Sequence, residues 1–96
     1  MSVAIDSLLV CSSDIRNGRL RIAGTGITVH RIVAWYKLGH GAEEIARRYG
    51  HITVAQVYAA LAYYHANQAE IEADLASDDA EADRLEAENL GRLQAA

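Results

Sequence analysis

Six polar side chains in and around two neighbouring helical segments have the types that contact nucleic acid. The segments, residues 42–49 and a helix that starts after Thr53, are separated by a turn containing Gly50. In a helix-turn-helix the second helix presents its first residues to base edges, where glutamine pairs with adenine, while arginine and lysine reach phosphates. The predicted DNA-contacting residues are Arg31, Lys37, Arg47, Arg48, Thr53 and Gln56.

A helical hairpin that only packs is the alternative explanation of the same pattern. The presumed recognition helix contains no lysine or arginine before its acidic end, and a short motif match has a known false-positive risk. The sequence therefore leaves two hypotheses open: a head that binds DNA, and a module without DNA contact.

The other reactive side chains do not form a pattern typical of catalysis or metal binding. No two histidines have the i, i+4 spacing of a helical metal site, and no cysteine pair accompanies them. Cys11 lies in an apolar run, as core cysteines do, and Gly24-Thr25-Gly26 indicates a tight turn rather than a phosphate cradle. We therefore expect a protein that is not an enzyme and has neither metal nor cofactor. The histidines are His30, His40, His51 and His65.

Short strands are predicted near the N-terminus, followed by helices. The apolar run Leu8–Cys11 and the glycine-containing stretch from Leu20 to Val29 indicate strands, with a turn at Asn17-Gly18 between them. Helix one is predicted to begin after Thr28 as its N-cap and to stop at Gly39, because the apolar residues in between have helical spacing.

Helices two and three have clear end signals. Helix two, about residues 42–49, opens with two glutamates and closes with two arginines, which suits the helix dipole, and Gly50 can take a left-handed cap. Helix three has Thr53 as its N-cap, Gln56 to complete a capping box, and Ile52 with Val57 as a hydrophobic staple.

Helix three is also predicted to be long and to carry a dimer interface. Its apolar residues alternate steps of three and four as far as Leu75, the spacing of a coiled-coil seam. A break or a fresh N-cap is expected at Ser77-Asp78-Asp79. A chain of 96 residues with one cysteine has a modest core and no internal disulfide, so we expect a homodimer. The predicted dimerisation residues are Val54, Val57, Leu61 and Tyr64.

Charge divides the chain into a predicted head, residues 1–66, and a predicted helical tail, residues 67–96. Seven basic residues against four acidic ones give the head +3, and two against nine give the tail −7, which together make the net charge of -4. Nucleic acid would repel such a tail, whereas a basic protein would attract it. Large apolar residues in the tail also need a partner surface or a second copy of the chain to cover them. The predicted partner-binding residues are Ile71, Leu75, Leu85, Leu90 and Leu93.

The apolar stretches are far shorter than the roughly 18 to 20 residues that span a bilayer. The first residues also lack a basic region ahead of an apolar one. We therefore expect no membrane association and a location in the cytoplasm.

A set of short segments spread over about half of the chain matches the layout of a known family. These segments are Asp14-Ile15, Gly18, Ile22–Val29, Leu38-Gly39, Ala42–Ile45, Tyr49 and Thr53–Tyr63. In these segments, from Asp14 to Tyr64, the chain resembles the bacterial family called "domain of unknown function 433". Where that family typically reads Gly-Thr-Arg-Ile-Pro-Val, this chain has Gly26 in place of the arginine and Thr28 in place of the proline.

The resemblance implies a winged-helix-like or helix-turn-helix head and an antitoxin-like role beside a nuclease-like toxin from the same operon. We expect a mainly α fold (small α+β) with short N-terminal strands, a long C-terminal helix and an acidic tail. The expected function is a dimeric antitoxin whose tail neutralises a cognate toxin and whose head binds operator DNA. The alternative is a dimerisation or scaffold module that does not bind DNA.

Overall fold

The structure, a computed structural model, describes residues 3–12 and 18–95, and the side chains of the last helix as far as residue 91. The fold is mainly helical with a small β part near the N-terminus, which confirms the predicted fold class. The elements in chain order are a 3-10 turn (Ile5–Ser7), strands β1 (Leu9–Val10) and β2 (Arg21–Ile22), and helices α1 (Val29–Lys37), α2 (Ala42–Tyr49), α3 (Val54–Ala66) and α4 (Gln68–Ala95).

The two strands form a short antiparallel sheet in which Leu9 lies opposite Ile22. The chain turns sharply after β2, where Gly24 has a φ of +78° and the Thr25 hydroxyl donates to the Ile22 carbonyl over 2.9 Å. The strands are therefore short, as predicted. Cys11 was predicted to be a core residue and is instead exposed, because β1 ends before it. Asn17 of the predicted turn lies outside the described residues.

The predicted starts of the first three helices and the predicted ends of the first two are confirmed. The Thr28 hydroxyl accepts from the Arg31 backbone N–H at the start of α1, and Gly50 ends α2 with a φ of +78°. Thr53 and Gln56 form both hydrogen bonds of the capping box, over 3.1 and 2.9 Å. Local side-chain chemistry thus sets these helix ends.

The core lies where α1, α2 and α3 pack over β2, and it contains most of the predicted dimer seam. Val57 is fully buried, and Leu61 and Tyr64 are 7% and 5% exposed, so the chain itself covers most of this stripe. Val57 and Tyr64 are therefore not available to a second copy, which corrects their assignment to the dimer interface, because α1 and α2 of the same chain pack against that face of α3. Only Val54, 36% exposed, lies at the surface.

Helix three is shorter than predicted, and the following helix is longer. Asn67 leaves the helical conformation with φ −131° and ψ 36°, and its side-chain amide donates to the Tyr63 carbonyl. Helix α4 then continues through Ser77-Asp78-Asp79 without a break. The break predicted there is wrong, because the Asp78 carboxylate binds Arg19 rather than capping a new helix.

Helix α4 begins on the head and extends well beyond it. Ile71 is 1% exposed in the core and Leu75 packs against the core, but every residue from 76 to 91 is exposed. At 1.5 Å per residue a helix of this length spans about 42 Å, and the chain measures 62 × 28 × 25 Å. Much of α4 therefore has no contact with the core.

Candidate functional site

Three acidic side chains of α4 attach the helix to basic side chains of the head. Asp78 accepts two hydrogen bonds from Arg19, over 2.8 and 3.1 Å. Asp74 Oδ2 lies 2.9 Å from Nε2 of the buried His30. The third contact is an ion pair between Glu72 and Lys37. Together the three contacts fix the direction in which α4 leaves the head.

Glu72 is the most extensively bonded of these carboxylates. Lys37 Nζ lies 2.7 and 3.0 Å from its two oxygens, and the Tyr64 hydroxyl donates to it over 2.7 Å. These hydrogen bonds lower the pKa of Glu72, as the hydrogen bond from Arg19 lowers the pKa of Asp78. Their carboxylates also raise the pKa of Lys37 and of Arg19. Both pairs are therefore more firmly charged than the isolated side chains.

The exposed part of α4, residues 76–91, is called the distal α4 here. It carries six acidic residues and one arginine, for a net charge of −5. Leu85 and Leu90 are 46% and 51% exposed although they are large apolar side chains. The distal α4 thus combines apolar anchors with negative charge on a continuous helix. Its acidic residues are Asp78, Asp79, Glu81, Asp83, Glu86 and Glu88.

The predicted partner-binding residues fall into two groups. Ile71 is part of the core and Leu75 is half-buried against it, so their assignment to a free surface is wrong. The reason is that the first turns of α4 cover the head. Leu85 and Leu90 lie on the free surface as the prediction requires. The Leu93 side chain lies outside the described residues.

Thr53 and Gln56, the two residues predicted to contact bases, hydrogen-bond to each other at the start of α3. The Thr53 hydroxyl accepts from the Gln56 N–H, and Gln56 Oε1 accepts from the Thr53 N–H. A glutamine that pairs with adenine needs its carbonyl oxygen as well as its amino group. The capping box therefore competes with base recognition by Gln56.

The four predicted phosphate contacts are in different environments. Lys37 is paired with Glu72, and Arg48 lies 3.5 Å from Glu44 and stacks 5.0 Å over the Trp35 ring. Arg31 and Arg47 are exposed and have no ion-pair partner within the described ranges. The structure thus leaves two of the four cations free and does not gather all four in one cavity.

One surface feature was missed by the sequence reasoning. An open apolar groove of about 420 Å³ lies between α1, α2 and α3. Its signal in the sequence is the i, i+4 series Val54, Tyr58, Ala62, which follows a different face of α3 from the buried seam. The groove is lined by Tyr36, Ala42, Tyr58, Leu61, Ala62 and His65.

Comparison with known proteins places this fold in a family. The family model described as "Protein of unknown function (DUF433)" matches residues 9–64, and the chain belongs to that family. The crystal structure of a DUF433 member protein from Anabaena variabilis ATCC 29413 is similar, with a TM-score of 0.68 and 26% identity. The similarity covers 75% of this chain and 71% of that one. No curated protein matches.

The family match ends before α4 begins, so the helix with the free acidic surface lies outside it. Among the helices that the structure describes, none is long and apolar enough to cross a membrane.

Proposed function

We propose that this chain is an antitoxin-like binding protein whose distal α4 occupies a basic groove on a partner protein. The observation that carries the proposal is the exposure of Leu85 and Leu90 on a helix segment of net charge −5 that projects from the head. The DUF433 resemblance suggests the partner, a nuclease-like toxin encoded beside this chain in the cytoplasm.

A helix of this kind binds by placing its apolar side chains in a complementary groove. Each leucine moved fully from water to such a groove contributes about 1.5 to 3 kcal/mol. The surrounding carboxylates accelerate association with a basic surface and act against nucleic acid. Because α4 is already helical and held by the head, little conformational entropy is lost on binding.

The test is to co-express the chain with the product of the neighbouring gene and measure the affinity of the complex. We expect the double substitution Leu85→Ala and Leu90→Ala to weaken binding severely without unfolding the head. Leu38→Ala is the matched control, because Leu38 is a 74% exposed leucine of the head. Equal affinity of the double variant and the native chain would refute the role of the distal α4.

Operator binding by the head is a second candidate, favoured by the unpaired Arg31 and Arg47. Phosphate contacts by these two arginines would make binding strongly dependent on salt, with little base preference while Gln56 stays in its capping box. Fluorescence anisotropy should compare the upstream DNA of the operon with random DNA. If the chain is instead a module without DNA contact, its affinity should not differ between the upstream DNA and random DNA.

A further inference from the structure

We infer that the apolar groove of the head is a contact surface for a second copy of this chain. The inference is independent of the proposed function of α4. Two large aromatic side chains that line the groove remain at the surface: Tyr36 is 38% exposed and Tyr58 is 56% exposed. Leu61 and Ala42, both 7% exposed, form the floor.

The groove has a fixed aromatic wall. The Tyr36 ring packs edge-on against His65, with ring centroids 5.8 Å apart, and against Tyr64, with centroids 6.4 Å apart. Aromatic pairs in this geometry stabilise one another. The wall is therefore in place before binding, and association does not have to order it.

The shape of the surface suits a two-fold arrangement. Tyr58 projects beside a hollow bordered by the small side chains of Ala42 and Ala62. In a two-fold dimer each copy contributes the same patch, so a projection must lie beside the hollow that receives its equivalent. Tyr58 of each copy would fill the hollow of the other.

The charges at the rim favour a second copy over an unlike partner. Glu43 and Arg47 border Ala42 and Tyr58, and neither has an ion-pair partner within the described ranges. The α2 side of the rim thus has one unpaired acid and one unpaired base, beside Glu44, which is paired within its own chain. A two-fold axis that passes between Glu43 and Arg47 would place Glu43 of each copy opposite Arg47 of the other and pair all four charges at once.

The distal α4 is a poor surface for self-association. Two copies of a segment with net charge −5 repel each other. The groove lining contains no aspartate, glutamate, lysine or arginine, so its copies meet without that repulsion.

Sedimentation equilibrium on the full chain over a wide concentration series tests the inference. We expect a monomer–dimer equilibrium whose Kd rises about a hundredfold in Ala62→Glu, because a carboxylate would lie unpaired in the interface. Ala73→Glu is the control, since it makes the same change at an exposed alanine of α4. A native chain that is monomeric at every concentration, or a dimer that tolerates Ala62→Glu, would overturn the inference.

Charge reversal tests the two-fold pairing and does not depend on the folding of Ala62→Glu. Glu43→Arg and Arg47→Glu should each weaken their own homodimer about tenfold, because each places like charges opposite one another. Mixing the two variants should restore a heterodimer, in which every rim charge again faces its opposite. Donor and acceptor dyes on the exposed Cys11 would report it by energy transfer. The pairing of Glu43 with Arg47 would be refuted if each single variant weakened its homodimer but the mixture formed no heterodimer.

Partner binding by the distal α4 and dimerisation through the groove can be tested independently. Leu85→Ala with Leu90→Ala should leave the dimer Kd unchanged, and Ala62→Glu should leave partner binding unchanged. If either variant lost both dimerisation and partner binding, one surface would serve both functions. The groove would then not be a separate interface.

Discussion

The proximal and distal parts of α4 have similar sequences and opposite environments. In the proximal turns Glu72 and Asp74 face cationic or histidine side chains of the head, and Ile71 enters the core. In the distal turns acids and leucines alternate in the same way, but Leu85 and Leu90 remain exposed. The two parts therefore differ only in what lies opposite them. An acidic amphipathic helix packs within its own chain where the chain supplies a facing surface, and it remains exposed where the chain supplies none.

The largest expected difference between the two parts is in folding stability. Ile71→Ala should lower the free energy of unfolding by about 2 to 5 kcal/mol, because it leaves a cavity in the core. Leu85→Ala should change it by less than about 0.5 kcal/mol, as expected at an exposed site. Urea denaturation of the two variants checks this. Similar losses would mean that the distal α4 is buried against another surface in solution.

A smaller effect should appear when the pH is lowered. The pKa values of Asp78 and Glu72 are below their ordinary values in the folded chain, so the unfolded chain binds protons first as the pH falls. Their stabilisation is complete above the ordinary carboxyl pKa and disappears as the pH falls through the lowered values. Thermal melting of Asp78→Asn should show a weaker pH dependence than the native chain. Asp83→Asn, the control at an exposed aspartate further along α4, should keep the native dependence.

The smallest effect is expected for a pair within the distal α4. Arg84 Nη1 lies 2.9 Å from Glu88 Oε1, one helical turn away. Arg84→Ala should cost about 0.2 to 0.5 kcal/mol of helix stability and should make the segment more acidic. Circular dichroism would detect the first effect. A faster association with a basic partner, greatest at low salt, would show the second.

Local chemistry explains why the helix ends were predictable from the sequence. The Thr53–Gln56 capping box and the Gly50 cap depend on residues close together in the chain, so their spacing is sufficient evidence. Helical periodicity also identified Val57, Leu61 and Tyr64 as one apolar stripe. It could not show that α1 and α2, rather than a second chain, cover that stripe.

The attachment of α4 was beyond sequence reasoning for a different reason. Arg19 and Asp78 are 59 positions apart, and His30 and Asp74 are 44 apart. No spacing rule relates such residues before the fold is known. The same distance explains the false break at Asp78, since an aspartate without a known partner has the signature of a helix cap.

The long sequence separation between Arg19 and Asp78 also orders the steps of folding. A chain leaves the ribosome from its N-terminus, so β1, β2 and the helices α1 to α3 emerge before α4. The residues that contact one another among these elements are closer in sequence than Arg19 and Asp78. Closing the loops between them therefore costs less entropy. Arg19 cannot pair with Asp78 until Asp78 has been synthesised. The distal α4 is therefore oriented last, on a head that has already folded.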